Sequence, residues 1–226
     1  MSPEKVPRPP AAQGTTYKLG HVACDDMFVI LNGWDGEENC EIFLKCGPQG
    51  SCSAAIMNAL SVLFSYARRS GVPLVAIARL FLRQGGFCSK AGENGKKPCI
   101  TALGELLNSL VVEEDDDMTG IPVAMNGNFR TRFTGCGPMK VFTGEDTANS
   151  LRYVDVRLAQ TNTCAHTITS VLSDLVSLML GYGVNPAEII NGIIDIQCPV
   201  EREGNKSCID GIARALVAHE DNQQIS

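Results

Sequence analysis

Four cysteines occur twice in this chain, in the same order and at nearly the same spacing. Cys24 and Cys136 stand 112 residues apart, as do Cys52 and Cys164 and the pair Gly71 and Gly183. Cys88 and Cys198 follow at 110 residues, and Cys99 and Cys208 at 109. A period held over most of a chain marks one supersecondary unit used twice, so both halves are expected to fold alike. The 226 residues then divide into two units of roughly 100, a common domain size that holds a modest core.

Residues 1–10 are polar and proline-rich, without the apolar h-region of a secretory signal. No apolar run approaches the roughly 18 residues of a membrane span; the most apolar helix candidate, around 171–180, is interrupted by Ser173, Asp174 and Ser177. A soluble, cytoplasmic protein is therefore expected, in a compartment where disulfides are rare. Ten cysteines need another role there. Any one of them could pack as a small hydrophobe, but eight that recur in register resist that explanation, because core positions drift among Val, Ala, Ile and Cys. The net charge of −6, from 25 acidic and 19 basic residues, offers no basic footprint for a phosphate backbone and disfavours nucleic acid as a partner.

Residues 14–31 are rich in β-branched and aromatic side chains and read as extended structure, ending in Met27-Phe28-Val29-Ile30-Leu31. Asn32-Gly33-Trp34-Asp35-Gly36 supplies turn chemistry, and residues 40–45 return as a second strand, so each half begins with a β-hairpin. A helix follows from Cys52, capped by Ser51 or Ser53, with Ile56, Leu60, Leu63, Phe64 and Ala67 on one face. Arg68-Arg69-Ser70-Gly71 ends it, with cations near the negative helix end and Gly71 as a left-handed cap. A short helix is expected over 74–83, then a loop holding Cys88, then a third helix from Cys99 to about Leu110. The second copy repeats the plan: a turn over 144–150, a strand over 151–158, a helix over 164–180, a short helix over 186–192, a loop with Cys198, and a last helix from Cys208. The strand-to-helix loop differs slightly between copies if Leu158 is matched with Leu44. The expected fold class is α+β: two tandem modules, each a β-hairpin plus about three helices, related by a pseudo-two-fold axis. A four-stranded sheet joining the hairpins is one arrangement the duplication allows. The expected segments are a flexible Pro-rich arm (1–13), a first module (14–112), an acidic linker around Glu113-Glu114-Asp115-Asp116-Asp117 (113–127), a second module (128–220) and a tail (221–226).

Several landmarks carry a family resemblance. Arg8-Pro9-Pro10-Ala11-Ala12-Gln13-Gly14-Thr15-Thr16-Tyr17-Lys18-Leu19 resembles the segment that introduces the TSCPD domain at the C-terminus of adenosylcobalamin-dependent ribonucleotide reductases. Thr134-Gly135-Cys136-Gly137, Gly183-Val184 with Pro186, Ile196-Gln197-Cys198-Pro199 and Ser207-Cys208-Ile209-Asp210-Gly211-Ile212-Ala213 are similar to its other landmarks. The resemblance spans nearly the whole chain as two copies. It implies four cysteines per domain, falling on Cys24, Cys52, Cys88 and Cys99 and on Cys136, Cys164, Cys198 and Cys208. Two features depart from the pattern: Ile100 and Ile209 stand where the family carries Pro, and Ala23-Cys24-Asp25 replaces Gly-Cys-Gly. Nothing resembles the reductase's catalytic barrel, cobalamin site or terminal redox cysteine pair, so the resemblance implies a non-catalytic module. By analogy, the partner it suggests is a nucleotide or a protein of nucleotide metabolism, and an oligomer is compatible with it.

The residues add a chemical argument. Cys52, Cys164, Cys99 and Cys208 all fall at expected helix N-termini, where backbone N–H groups and the dipole favour thiolate. Four converging thiolates repel, and a bound cation resolves the repulsion; a four-cysteine set suits zinc, with a 4Fe–4S cluster as the alternative. The intervals of 28, 36 and 11, then 28, 34 and 10 contain no paired knuckle of the zinc-ribbon kind, so buried thiols, a dithiol switch and a small-nucleotide binder stay open. Cys40 and Cys46 have no cysteine partner in the other copy, Val154 and Gln160 being the nearest positions, and read as packing residues. His21, His166 and His219 are likewise unmatched. The glycine-bearing segment 47–51 lacks the lysine and spacing of a phosphate loop.

Overall fold

The computed structural model describes residues 7–23, 25–34, 37–47, 50–83, 95–111, 126–159, 163–198 and 206–223, and of Cys52 and Cys164 the main chain. Cys24, Cys88 and the acidic run 113–117 lie outside the described residues. The first module runs β1 (Gln13–Val22), β2 (Asp25–Trp34), β3 (Glu37–Cys46), α1 (Cys52–Arg69), α2 (Leu74–Arg83) and α3 (Cys99–Ser109). The second repeats the order with β4 (Asn126–Thr134), β5 (Gly137–Glu145), β6 (Leu151–Leu158), α4 (Cys164–Gly181), α5 (Pro186–Ile193) and α6 (Cys208–Gln223). The fold is α+β, two copies of one module.

The hairpin expected from the sequence is β2–β3, and a further strand precedes it. The extended stretch 14–31 is two strands, because the chain reverses between Val22 and Asp25. In sequence, the two residues between those strands, Ala23 and Cys24, include none of the Gly, Asn or Pro that announces most turns. The second copy turns at Gly135-Cys136, between the paired residues Thr134 and Gly137, with Gly137 at φ +100. Each sheet is a three-stranded antiparallel meander, β1-β2-β3 and β4-β5-β6. The two do not join into one four-stranded sheet.

The reason lies at the sheet edges. A strand edge presents unpaired N–H and C=O groups, and helix serines take up some of those on β3 and β6. Ile42 N–H donates to Ser65 Oγ at 3.0 Å and Leu44 N–H to Ser61 Oγ at 2.9 Å. In the second module Val154 N–H donates to Ser177 Oγ at 2.9 Å, and Ser177 Oγ–H donates to Val154 O at 3.0 Å. Thus α1 and α4 lie along the edges the hairpins would need to merge. Alternation does the rest: Met27, Val29 and Leu31 are buried in the apolar core while Phe28 and Ile30 face outward.

Both long helices end alike. Val72 N–H reaches Ala67 O and Gly71 N–H reaches Arg68 O; Val184 and Gly183 do the same to Met179 and Leu180. With Gly71 at φ +83 and Gly183 at φ +79, these are Schellman caps. They turn the chain into α2 and α5. The equivalent helices α1 and α4 pack together, α5 lies against α1, and α2 against α4. That reciprocity is the mark of a two-fold relation, and one continuous apolar core runs through both modules. Among the described residues no helix is long and apolar enough to cross a membrane.

Sheet register also revises one correspondence between the copies. Cys46 pairs with Met27 and Leu158 with Met139. The position equivalent to Cys46 is therefore Leu158, not Gln160, and Val154 is level with Ile42 rather than Cys40. The strand-to-helix loops are the same length, Cys46 preceding Cys52 as Leu158 precedes Cys164. A slip of two residues keeps the same face inward, so alternation alone could not separate the two alignments.

Candidate functional site

The start of α6 is built by local sequence. Ser207 Oγ accepts from Asp210 N–H at 3.0 Å and Ser207 O from Gly211 N–H at 3.0 Å, which caps the helix. The Asp210 carboxylate is fully buried. It accepts from Lys206 N–H and Asp195 N–H, each at 2.9 Å, and from Arg214 Nε at 2.8 Å. Asp195, held at φ +61, carries its own carboxylate to Lys206 Nζ at 2.9 Å. The hydrogen bond from Lys206 draws the Asp195 acid below its ordinary value. One buried acid thus ties the segment after α5 to the helix start. Cys198 N–H in turn donates to Lys206 O at 2.9 Å, which places Cys198 beside a residue two positions ahead of Cys208.

Cys208 is the first residue of α6 and is buried. Its sulfur lies 3.2 Å from Thr134 Oγ1 and in hydrogen-bond contact with the Cys136 thiol. Cys136 is half-buried in the β4–β5 turn. The Cys208 thiol is brought down to about 6, first by the Cys136 side chain, against burial, which pushes it up, and with help from Thr134 and the backbone N–H groups of Cys136 and Cys208. The depression favours the thiolate near neutral pH. That is the form that binds metals and reacts.

The first module uses a different neighbour. Cys99 opens α3 and is buried, and its Sγ lies 3.7 Å from Cys46 Sγ at the end of β3. The turn between β1 and β2 is bound to the same region, Ala23 N–H donating to Lys97 O at 2.8 Å, two residues ahead of Cys99.

Of the eight cysteines singled out by the repeat, Cys136 and Cys208 come together, and Cys198 is held near them through Lys206. Cys99 meets Cys46, a residue that the sequence alone presents as packing. Cys52 and Cys164 take the first positions of α1 and α4 as expected. Among the described residues no group of three or more His, Cys, Asp or Glu is placed to hold a metal ion. His219 is buried with Nε2 3.5 Å from Glu145 Oε1, away from the cysteines; His166 contributes a backbone N–H to the Thr163 cap of α4. Two residues at the site escaped sequence reasoning. Thr134 was visible as the residue before Gly-Cys-Gly, whereas nothing local marks Cys46.

Comparison with known proteins adds one finding. The family model described as TSCPD domain matches residues 2–111 and again 120–220. No curated protein and no solved structure matches the chain.

Proposed function

Because this chain belongs to the TSCPD domain family and carries two copies of the domain, a domain associated with ribonucleotide reductase accessory regions, we propose that it is a non-catalytic metal-binding module. Each module binds one soft cation through its cysteine quartet. The quartets are Cys24, Cys52, Cys88 and Cys99, and Cys136, Cys164, Cys198 and Cys208. Zinc is the metal proposed first, and a 4Fe–4S cluster is the alternative. The observation that carries this reading is the Cys208 thiol. It is buried at a helix N-terminus, brought down to about 6, and touched by a second quartet thiol, Cys136. A buried anion of that kind calls for a compensating cation. The donor chemistry fits: Cys198 is tied to the same helix start, and Cys164 opens α4. The partner proposed is a nucleotide or a protein of nucleotide metabolism, on the strength of the family association alone.

Elemental analysis and an absorption spectrum of anaerobically purified protein test the metal. About two zinc per chain supports closed four-cysteine sites. Visible charge-transfer absorption with iron and sulfide supports clusters. Protein that holds neither zinc nor a cluster overturns the proposal. A thermal-shift panel of nucleotides tests the partner, and no shift with any of them removes the nucleotide itself. The thiol contacts Cys46–Cys99 and Cys136–Cys208 favour a second reading, a redox protein. It predicts reversible two-electron oxidation in metal-free protein as isolated, and a stoichiometric metal that survives mild oxidant excludes it.

A further inference from the structure

Among the described residues the two cysteine sites are not equivalent, and one difference lies at a single sheet position. Sheet register places Cys46 in the first module where Leu158 stands in the second. Cys46 and Cys99 come from separate elements, the end of β3 and the first residue of α3, and are 3% and 5% exposed. Their sulfurs are 3.7 Å apart. Tetrahedral zinc with Zn–S near 2.3 Å spaces any two of its thiolates about 3.8 Å apart. The contact is a thiol–thiol hydrogen bond, well beyond the roughly 2.05 Å of a disulfide, and its length is also that of two thiolates on one cation.

The surroundings of the helix start point the same way. Ser207 brings a side-chain acceptor to the first turn of α6, whereas Pro98 at the N-cap of α3 brings none. The positive end of α3 is left facing its neighbours, and Cys99 begins that turn. In the second module a leucine fills the Cys46 position, and Cys208 is accompanied by Thr134 and Cys136.

We infer that Cys46 is a metal ligand of the first module, joining Cys99 in a two-thiolate seat for a soft divalent cation such as zinc and taking the place of one of the other quartet cysteines, since tetrahedral zinc holds four thiolates. This rests on the metal reading above, and it makes the two sites different in ligand set although the modules share a fold. The test is Cys46→Leu, which installs the residue the second module already has. Cys46→Ser is the variant of matched size, and the buried Cys40→Ala is the control. Each protein is loaded with zinc and titrated with a competing chelator, then reloaded with cobalt(II) to read the thiolate-to-metal absorption. In Cys46→Leu and Cys46→Ser one of the two metals is lost at a chelator concentration at least tenfold lower than in the parent, and the cobalt–thiolate absorption falls. The other metal and the Cys40→Ala protein behave as the parent does. Parent protein with two metals and both Cys46 variants unchanged overturns this inference and spares the quartets. Parent protein with no metal overturns both. A Cys46–Cys99 disulfide in protein isolated without reductant also overturns it.

Discussion

Replacing Cys136 by Ala would show what holds the Cys208 thiol ionised. Its sulfur is buried, and burial alone would raise the acid, yet it stands at about 6. The largest opposing influence is the Cys136 side chain; the Thr134 hydroxyl and two backbone N–H groups follow. Thr134 has a single proton to give, and Gly137 O also claims it at 2.9 Å, so Thr134 compensates only in part when Cys136 is gone. A hydrogen bond to a charged group contributes about 1.5–3 kcal/mol, and one pKa unit corresponds to about 1.4 kcal/mol. Cys136→Ala is therefore expected to move the Cys208 midpoint up by roughly one to two units, while Cys136→Ser keeps a donor and moves it less. The assay is the pH titration of the Cys208 13Cβ resonance in reduced, metal-free protein, assigned with Cys208→Ser. A midpoint that stays near 6 in Cys136→Ala refutes the argument. The same depression has a consequence for stability. The thiol titrates near 9.0 without these interactions and about 6 with them, so the folded state binds fewer protons between those values. Metal-free protein should gain stability as pH rises through that window, by at most about 1.4 kcal/mol per unit, and lose it as pH falls toward 6.

Three other perturbations follow from the fold. Ser177→Ala leaves the Val154 N–H at the β6 edge without its acceptor, at an expected cost of about 1–3 kcal/mol in urea unfolding, and an unchanged midpoint would show that the edge finds another partner. Asp210→Ala strands two backbone donors and leaves Arg214 paired with Asp195 alone; a loss of about 3 kcal/mol is expected, with faster amide hydrogen exchange at Asp195 and Lys206. Gly183→Ala forces a side chain into φ +79, where a Cβ meets nothing within 4 Å, so the cost is conformational alone, about 1–2 kcal/mol by thermal melt.

Local chemistry could be read from the residues because local forces set it. The 112-residue period lies in the order of residues itself, and the Schellman glycines Gly71 and Gly183, the cap at Ser51 and the strand Leu151–Leu158 depend on neighbours within a turn or two. The helix starts at Cys52, Cys99, Cys164 and Cys208 belong to the same class. What escaped was whatever depends on a distant partner. Ser173 and Ser177 read as breaks in an apolar helix, yet Ser177 satisfies the main chain of an edge strand 23 residues earlier. The residues between β1 and β2 include no Gly, Asn or Pro to announce a reversal, so one extended stretch concealed two strands. Cys46 reads as filling because the partner that gives it meaning, Cys99, is 53 residues away. Periodicity and capping act through bonds between near neighbours and leave their pattern in the order of residues. Register, edge protection and the meeting of two sulfurs arise only when separate elements pack, and no short window of residues contains both partners.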